Sequence, residues 1–229
     1  MSSTKILTLN VKGINHVIKR RKTLTLLKKE KVQIAPLQET HLTDHEHSKL
    51  KRDWVGQVFC SSYNSKSRCV AILIHKNLPF TVEKIVKDRE GCYVTIPGIL
   101  YGEQILVGNV YAPNVYDSAF YSKFLAEVSP ICPSHVLIGG DFNTGLIPGS
   151  DYSPPKTQPL SKMAKATNGL CNDLGFFDAW RNYNPNVRDF TFFQGVVRHC
   201  LTFSTTTGPV IYTLYQDGYT HFCINLNSM

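Results

Sequence analysis

The 229-residue chain is 42% hydrophobic and 18% charged, and its formal net charge is +8 with histidine neutral. This composition indicates one folded core and excludes a disordered chain, and no apolar run approaches the roughly 18 residues of a membrane span. The N-terminus lacks a secretory signal, and no two of the seven cysteines form a CxxC pair. We therefore expect a protein of the nucleus or cytoplasm that is not secreted and has neither a disulfide framework nor a cysteine-based zinc site.

The excess of positive charge is concentrated near the N-terminus. Residues 1–31 contain nine Lys or Arg and one acidic residue, whereas the rest of the chain contains sixteen of each sign. A basic surface of this kind attracts phosphate groups of nucleic acid or of another polyanion. The alternative is the solvated face of an amphipathic helix whose core face holds Val17, Ile18, Leu24 and Leu27. The two interpretations are compatible, and charge alone does not decide between them.

Hydrophobic periodicity predicts more strands than helices. Strands are predicted, in chain order, over residues 5–11, 32–38, 54–60, 69–75, 80–85, 93–96, 105–111, 136–138 and 190–193. Helices are predicted over residues 16–31, from the capping box of Thr43 and Glu46, over residues 117–128 and over residues 159–174. Because few of these strands are separated by a helix, the order favours packed mixed sheets with outer helices over a doubly wound parallel sheet.

Pro36 conflicts with this prediction, because it lies in a run that otherwise has the character of an interior strand. Proline lacks the N–H that a strand donates and is normally confined to sheet edges and bulges. We expect a tolerated bulge or a damaging change at this position.

Polar residues follow several of the predicted strands. The four phrases are LTLN, LQET, VGNVYAPN and LIGGDFN. Residues at strand ends converge on one rim of a sheet, and Asn10, Glu39, Asp141 and Asn143 together offer the oxygen ligands that Mg²⁺ prefers over zinc. Each residue alone is better explained as a turn former, a cap or a surface residue, so the prediction depends on all four occurring together.

Six ordered phrases resemble one family of proteins: LNVKGIN, LQETHL, VAILIHK, GNVYAPN, IGGDFN and FTFF. They are similar to the endonuclease/exonuclease/phosphatase superfamily and, within it, to the endonuclease domain of LINE-type retrotransposons, which is related to exonuclease III and the apurinic-site endonucleases. The resemblance extends from about residue 5 to about residue 193. It implies a DNase I-like four-layer α/β/β/α sandwich, a Mg²⁺ cofactor with Mn²⁺ as an alternative, and DNA as the partner.

The resemblance also implies roles for individual residues. Glu39 matches the main Mg²⁺ ligand of the family, with Asn10 beside the metal. Asp141 matches the carboxylate that activates the attacking water, and Asn143 matches the residue that orients it; both are also candidate metal ligands. Tyr111 matches a tyrosine that contacts the scissile phosphate or the leaving group.

Three further positions are implied to contact DNA. Thr191 lies in the FTFF phrase, Asn114 ends the GNVYAPN phrase, and His41 follows Glu39 in the LQETHL phrase. Hydrolysis of a phosphodiester needs a positioned nucleophile and neutralisation of charge on the phosphate, and these residue types supply both together with the metal.

The resemblance ends after Phe193. The family has an SRIDY-like phrase and a later Ser-Asp-His, and neither occurs here: Asp217 precedes Gly218, and His221 follows Thr220. From residue 199 to the end, Asp217 is the only Asp, Glu, Lys or Arg. We therefore expect an incomplete family domain over residues 1–193, a diverged tail over residues 194–229, and last strands that are missing or diverged, with an open sheet edge.

A second group of residues offers metal-ligand types. It consists of His41, Asp44, His45, Glu46 and His47. The two histidines at 45 and 47 point away from each other on a helix, and the capping box explains Glu46 without a metal. The pattern favours an ordinary helix start over a transition-metal site.

The predicted activity is Mg²⁺-dependent hydrolysis of DNA phosphodiesters, such as the nicking of a retrotransposon target site. Without the histidine–aspartate pair of the family, we expect weak Mg²⁺ binding and impaired turnover. Two alternatives remain at this point: an inactive remnant that binds nucleic acid weakly, and a phosphoesterase of the same fold that acts on small molecules. The sequence does not indicate the oligomeric state.

Overall fold

A computed structural model describes residues 4–147, 149, 151, 159–183 and 185, together with the backbone of residues 201–204, 210–212 and 220–224. The predicted strand at residues 190–193, and with it Thr191, lies outside the described residues. The helices are α1 (Val17–Lys29), α2 (Asp44–Asp53), α3 (Ser118–Val128), α4 (Lys162–Leu174) and α5 (Ala179–Tyr183), with a 3₁₀ turn at Ser129–Ile131.

The strands in chain order are β1 (Thr4–Asn10), β2 (Ile34–Gln38), β3 (Gly56–Ser61), β4 (Val70–His75), β5 (Phe80–Val82), β6 (Val86–Lys87), β7 (Tyr93–Leu100), β8 (Glu103–Tyr111), β9 (His135–Asp141), β10 (Phe177–Asp178), β11 (Leu201–Ser204), β12 (Val210–Tyr212) and β13 (Thr220–Ile224). One sheet has the order β12-β13-β1-β2-β4-β3, and the other has the order β10-β11-β9-β8-β7-β5, with β6 also on β7. Each sheet contains a parallel pair, β1 with β2 and β8 with β9. Both sheets are therefore mixed.

Three hydrophobic clusters separate the layers. The two sheets face each other through residues such as Ile6, Ile72 and Ile96. On the outer side of the first sheet, α1 and α2 bury Leu24, Leu27 and Leu50, while α3 and α4 bury Phe124 and Leu170 on the outer side of the second. This arrangement confirms the predicted four-layer α/β/β/α sandwich.

The C-terminal strands differ from the open sheet edge that the sequence predicted. β13 pairs antiparallel with β1, and β11 pairs antiparallel with β9. Each of these strands therefore extends its sheet beyond β1 or β9. The expectation of an uncovered edge at β1 and β9 is wrong. The physical reason is that the phrases LTFS, VIY and THFCI contain β-branched and aromatic residues, which favour strands. The scarcity of charge in this segment does not prevent strand formation.

Pro36 lies in the interior strand β2 and not at an edge. The ladder between β1 and β2 joins Ile6 to Ile34 and Leu9 to Leu37, and it skips Pro36 between them. Toward the other sheet, a Cβ on Gly139 would come within 3.2 Å of the Pro36 ring. The proline is therefore tolerated because one bond of the ladder is given up and the facing strand has a glycine.

Helix α1 is amphipathic, but its core face differs from the predicted one. Leu24 and Leu27 are buried, whereas Val17 and Ile18 are 42% and 56% exposed. Arg20, counted above with the basic surface, is buried and donates from its guanidinium to the carbonyl oxygens of residues 14 and 15. It also lies 3.7 Å from a carboxylate oxygen of Asp53. Arg20 therefore fastens the start of α1 and does not contribute to the basic surface.

The predicted capping box begins α2. The Thr43 hydroxyl accepts a hydrogen bond from the Glu46 backbone N–H, and the Glu46 carboxylate accepts one from the Thr43 backbone N–H. We expect Thr43→Ala to lower the free energy of unfolding by about 1 kcal/mol, because the Glu46 backbone N–H loses its acceptor. Urea unfolding measures this, with Thr25→Ala on the exposed face of α1 as the control. An equal loss in both variants would contradict the assignment.

Candidate active site

The strand-end residues converge where the two parallel pairs end. In the first sheet, Asn10 and Gln38 are partners at the ends of β1 and β2, and Glu39 follows directly. In the second sheet, Tyr111 and Asp141 are partners at the ends of β8 and β9. Because the sheets face each other, the two sets of side chains meet across one rim of the sandwich.

The amide of Asn10 joins the two carboxylates. Its Nδ2 donates to Glu39 Oε1 at 2.7 Å and to Asp141 Oδ2 at 3.0 Å. The distance between Glu39 Oε1 and Asp141 Oδ2 is therefore smaller than the sum of these two hydrogen-bond distances. The Oδ1 of Asn10 accepts from the Lys12 backbone N–H at 3.1 Å, which fixes the amide in the orientation that presents its two donors to the acids.

Tyr111 and Asn143 complete the group. Burial, followed by the charge of Glu39, raises the pKa of the Tyr111 phenol. The phenol therefore stays protonated and remains a donor. Asn143 donates from its backbone N–H to Asp141 Oδ1 at 3.0 Å and from its amide to the Ala112 carbonyl oxygen at 2.7 Å.

Several residues of this rim have backbone angles in the left-handed region. Glu39, His41 and Asn143 have φ values of 51°, 54° and 50°. Such conformations are unfavourable for residues with a Cβ and persist where the surroundings impose them. Here Gly13 donates to the Glu39 carbonyl oxygen at 2.7 Å, and a Cβ on Gly13 would lie 2.9 Å from the His41 ring. The loop therefore requires glycine at position 13.

The charges of the rim favour a bound cation. Burial and the nearby charge of Glu39 raise the pKa of Asp141, against the lowering effect of the hydrogen bonds from Asn10 and Asn143. A cation between the two carboxylates would relieve their mutual repulsion. The available ligand atoms are the carboxylate oxygens of Glu39 and Asp141, with Asn10 beside them, and an all-oxygen set of this kind fits Mg²⁺ and equally Mn²⁺.

The residues implied to contact DNA are placed in three different ways. His41 Nε2 lies 3.5 Å from Glu39 Oε2, within the group. Asn114 is exposed in the loop between β8 and α3, three residues after Tyr111. Thr191 lies outside the described residues, as stated above.

A basic cavity adjoins Asn10. Its volume is about 520 Å³, and its lining includes Asn10 together with Lys12, Lys19 and Lys22. The Lys19 ammonium donates to the Lys12 carbonyl oxygen at 2.7 Å. Part of the N-terminal positive charge therefore lies directly beside the paired carboxylates, where it can attract a phosphate chain.

A buried polar network under the rim was missed by the sequence analysis. Asn109 on β8 donates through Nδ2 to the carbonyl oxygens of Leu37 and Ala71, each at 2.8 Å, and its Oδ1 accepts from Gln38 Nε2 at 2.6 Å. Gln38 also donates to the Thr8 hydroxyl at 3.0 Å. Asn109 thus joins its own sheet to β2 and β4 of the other, immediately beneath Glu39 and Tyr111. A polar residue two positions before Tyr111 in a buried strand was the available signal.

We expect Asn109→Ala to lower the free energy of unfolding by about 3 kcal/mol or more, since it removes three buried hydrogen bonds, one from the Gln38 amide and two to the carbonyl oxygens of Leu37 and Ala71. Urea unfolding with circular dichroism measures the loss. The control is Thr95→Val on the neighbouring strand, because the buried Thr95 hydroxyl has no hydrogen-bond partner among the described residues and its removal is expected to be neutral. Equal effects of the two substitutions would contradict this role of Asn109.

Within the described residues, no helix is both long enough and apolar enough to cross a membrane.

The sequence matches the model of the endonuclease/exonuclease/phosphatase family over residues 7–209. The match continues beyond Phe193 and includes the whole of β11. An uncharacterized 149 kDa protein of transposon TX1 from Xenopus laevis is 27% identical over 190 residues. That alignment covers 82% of this chain but only 14% of the transposon protein, so the chain spans a small part of its length.

Solved structures of three nucleases share the fold. An AP endonuclease from Archaeoglobus fulgidus has a TM-score of 0.71 at 19% identity and covers 96% of this chain and 98% of its own. The AP endonuclease LMAP from Leishmania major has a TM-score of 0.74 at 13% identity, covering 97% and 87%. The endonuclease domain of TRAS1, a telomere-specific non-LTR retrotransposon, has a TM-score of 0.68 at 15% identity, covering 98% and 99%. The resemblance seen in the sequence is thereby confirmed, and the chain belongs to the endonuclease/exonuclease/phosphatase family.

Proposed function

We propose that this protein is a Mg²⁺-dependent endonuclease that cuts DNA phosphodiester bonds, of the kind that nicks a retrotransposon target site in the nucleus or cytoplasm, and that its turnover is impaired. The observation that carries the proposal is the single amide of Asn10 that holds the carboxylates of Glu39 and Asp141 together at the rim. The transposon relative and the retrotransposon endonuclease fold support the choice of DNA as the substrate.

In this proposal, Glu39 holds the Mg²⁺ with support from the Asp141 side of the rim, and Asn10 lies beside the metal. When bound, Mg²⁺ supplies neutralisation of the charge on the phosphate and the leaving oxygen. Asn10 keeps the carboxylates at a fixed separation and does so with a donor that carries no charge. The oxygen lone pairs of Glu39 and Asp141 that do not accept from Asn10 remain available for the cation.

Asp141 is the proposed acceptor of the proton from the attacking water. Its Oδ1 is held by the Asn143 backbone N–H and its Oδ2 by Asn10, so the carboxylate cannot rotate away from the rim. Burial raises the pKa of Asp141, which makes it a stronger base than an exposed aspartate. Asn143, held by the Ala112 carbonyl oxygen, positions the water.

Tyr111 and His41 face the phosphate in this proposal. The protonated Tyr111 hydroxyl donates a hydrogen bond toward a phosphate oxygen once a substrate displaces part of its contact with Glu39. His41 lies at the edge of the group, 3.5 Å from Glu39, where it contacts the DNA strand. Asn114 and Thr191 are proposed to contact the strand further from the cleavage point.

Impaired turnover follows from the family phrases that the sequence lacks. A Ser-Asp-His phrase supplies, in the family, a histidine that binds the phosphate in the transition state and an aspartate that orients it. The corresponding stretch here has Thr220 before His221. Loss of one such donor lowers a rate on the order of a hundred- to a thousand-fold. The domain boundary near residue 193 and a diverged tail after it are part of the same proposal.

The substrate class is tested with two assays on the same preparation. One follows the nicking of supercoiled plasmid DNA, and the other follows phosphate release from a phosphoinositide and from a nucleotide monophosphate, both with Mg²⁺. The proposal expects nicking without phosphate release. Phosphate release without nicking would show instead the small-molecule phosphoesterase of the same fold, and DNA binding without either product would show an inactive remnant.

A further inference from the structure

Three side chains of metal-ligand type, none of them among the paired carboxylates, meet at the junction of α2 and β3. A carboxylate oxygen of Asp44, a ring nitrogen of His47 and the Sγ of Cys60 lie within 4.8 Å of one another. Asp44 is exposed, His47 is buried, and Cys60 is half-buried. The group therefore has one side open to solvent and one side fixed in the core.

The local structure explains why these residues meet. Asp44 and His47 are three residues apart on α2 and share a face of the helix. The capping box of Thr43 fixes the first turn, and α2 packs on β3, which carries Cys60. In the sequence, the histidines at 45 and 47 point away from each other as a pair, and this spacing does not indicate a metal site. The contribution of Cys60 could not be predicted, because only the fold brings this residue to the helix.

His47 is in the form that binds metals. It is 1% exposed, and burial lowers the pKa of its imidazole to about 4, so the ring is neutral at pH 7. Its Nδ1 lies 3.0 Å from the Thr43 carbonyl oxygen, which can only accept, so Nδ1 is the donor. The lone pair is then on Nε2, which lies 3.4 Å from the buried Thr40 hydroxyl. A histidine ligand whose second nitrogen donates to a backbone carbonyl is the arrangement usual in protein metal sites.

We propose that Asp44, His47 and Cys60 form a Zn²⁺ site, with water in the fourth position. A set of one nitrogen, one sulfur and one carboxylate oxygen matches zinc and does not match Mg²⁺. Bonds of about 2.0 to 2.3 Å place tetrahedral ligand atoms less than about 4 Å apart, so small side-chain rotations bring the three into range. The Ser62 hydroxyl lies 3.0 Å from His47 Nδ1, on the side of the ring that does not bind the metal.

Binding requires the Cys60 thiol to lose its proton. Burial and the charge of Asp44 raise the pKa of this thiol, so it is protonated when no cation is bound. As zinc binds, the zinc–sulfur bond forms and the proton passes to the solvent, with no change of oxidation state. The thiolate and the Asp44 carboxylate then balance the charge of the cation, and the neutral imidazole adds none.

The test uses the whole chain freed of metal and titrated with Zn²⁺ and with Co²⁺ as a coloured substitute. The Glu39→Gln background removes the main ligand of the proposed Mg²⁺ site, so that only zinc bound elsewhere is counted. We expect one Zn²⁺ per chain in this background and a thiolate-to-cobalt charge-transfer absorption in the near ultraviolet. Cys60→Ser should abolish the absorption and weaken zinc binding at least about tenfold.

The matched control is Cys132→Ser, because Cys132 is also a half-buried free thiol but lies outside the group. It should bind zinc like the parent, while Asp44→Asn, at an exposed position that tolerates substitution, should weaken binding. Equal zinc affinity in the Cys60→Ser and Cys132→Ser variants would overturn the proposal, as would an absence of zinc binding in the Glu39→Gln background. Plasmid nicking in Mg²⁺ should be the same with Cys60→Ser, so failure here is separate from failure of the proposed function.

Discussion

Asp141→Asn is expected to lower Mg²⁺-dependent nicking of plasmid DNA by at least about a hundredfold, because a general base contributes a factor of that order or more. The substitution keeps the size of the side chain but removes its basicity. It also replaces one acceptor oxygen by an NH₂ group, and both oxygens of Asp141 now accept, one from Asn10 and one from Asn143. The measurement is the initial rate of conversion of supercoiled to nicked plasmid at saturating Mg²⁺.

Asp117→Asn is the control for this result. Asp117 caps α3 by accepting from the Ala119 backbone N–H, outside the rim, and asparagine caps a helix about as well. The nicking rate and the unfolding curve of Asp117→Asn should equal those of the parent chain. If Asp141→Asn nicks DNA as fast as Asp117→Asn, Asp141 is not the base.

Glu39→Gln is expected to weaken Mg²⁺ binding more than about tenfold, since Mg²⁺ sites in proteins depend on only one or two carboxylates. Glutamine keeps the contact with Asn10 through its amide oxygen but loses the charge. Isothermal titration with Mg²⁺ measures the affinity directly, and the paramagnetic signal of Mn²⁺ provides a second reading.

Glu103→Gln, at an exposed position at the start of β8, serves as the comparison. It removes the same charge from the chain without touching the rim, so it accounts for the general effect of charge on cation binding. Its Mg²⁺ affinity should match that of the parent. Equal weakening in both variants, or unchanged binding in Glu39→Gln, would contradict the assignment of the metal ligand.

Much of this architecture could be predicted from the sequence because the signals are local. Alternating apolar residues located β1 and β8, and polar residues at strand ends indicated Asn10, Glu39 and Asp141 before any geometry was known. The capping box at Thr43 fixed the start of α2 from two residues alone. In each case the residues that carry the signal are neighbours in the chain or occupy the end of one regular element.

The rest could not be predicted because it depends on contacts between distant segments. In the sequence, Asn109 is one more residue of the VGNVYAPN phrase. Its role depends on the stacking of the two sheets, which brings its amide to the carbonyl oxygens of Leu37 and Ala71. In the sequence, Arg20 belongs to a basic segment. In the fold, its guanidinium is buried against the carbonyl oxygens of residues 14 and 15, in the chain before α1. The strands β11 and β13 were not expected, since the scarcity of charge after residue 199 outweighed their β-branched and aromatic residues.

The C-terminal strands also bear on the proposed impairment of turnover. Thr220, the first residue of β13, pairs with Thr8 on β1, two residues before Asn10. The strand that contains His221 therefore begins at the same end of the sheet as the paired carboxylates. A histidine is present in this strand, and the aspartate that precedes it in the family is absent from the sequence.

The central claim is that the paired carboxylates form a working but slowed Mg²⁺-dependent nicking centre. The most direct test is the plasmid-nicking rate of this chain at saturating Mg²⁺, measured beside the intact TRAS1 endonuclease domain and the Asp141→Asn variant. We predict a rate about a hundred- to a thousand-fold below that of the intact domain, still above that of Asp141→Asn, and zero without a divalent cation. A rate equal to that of Asp141→Asn at every Mg²⁺ concentration would contradict the claim and leave an inactive remnant.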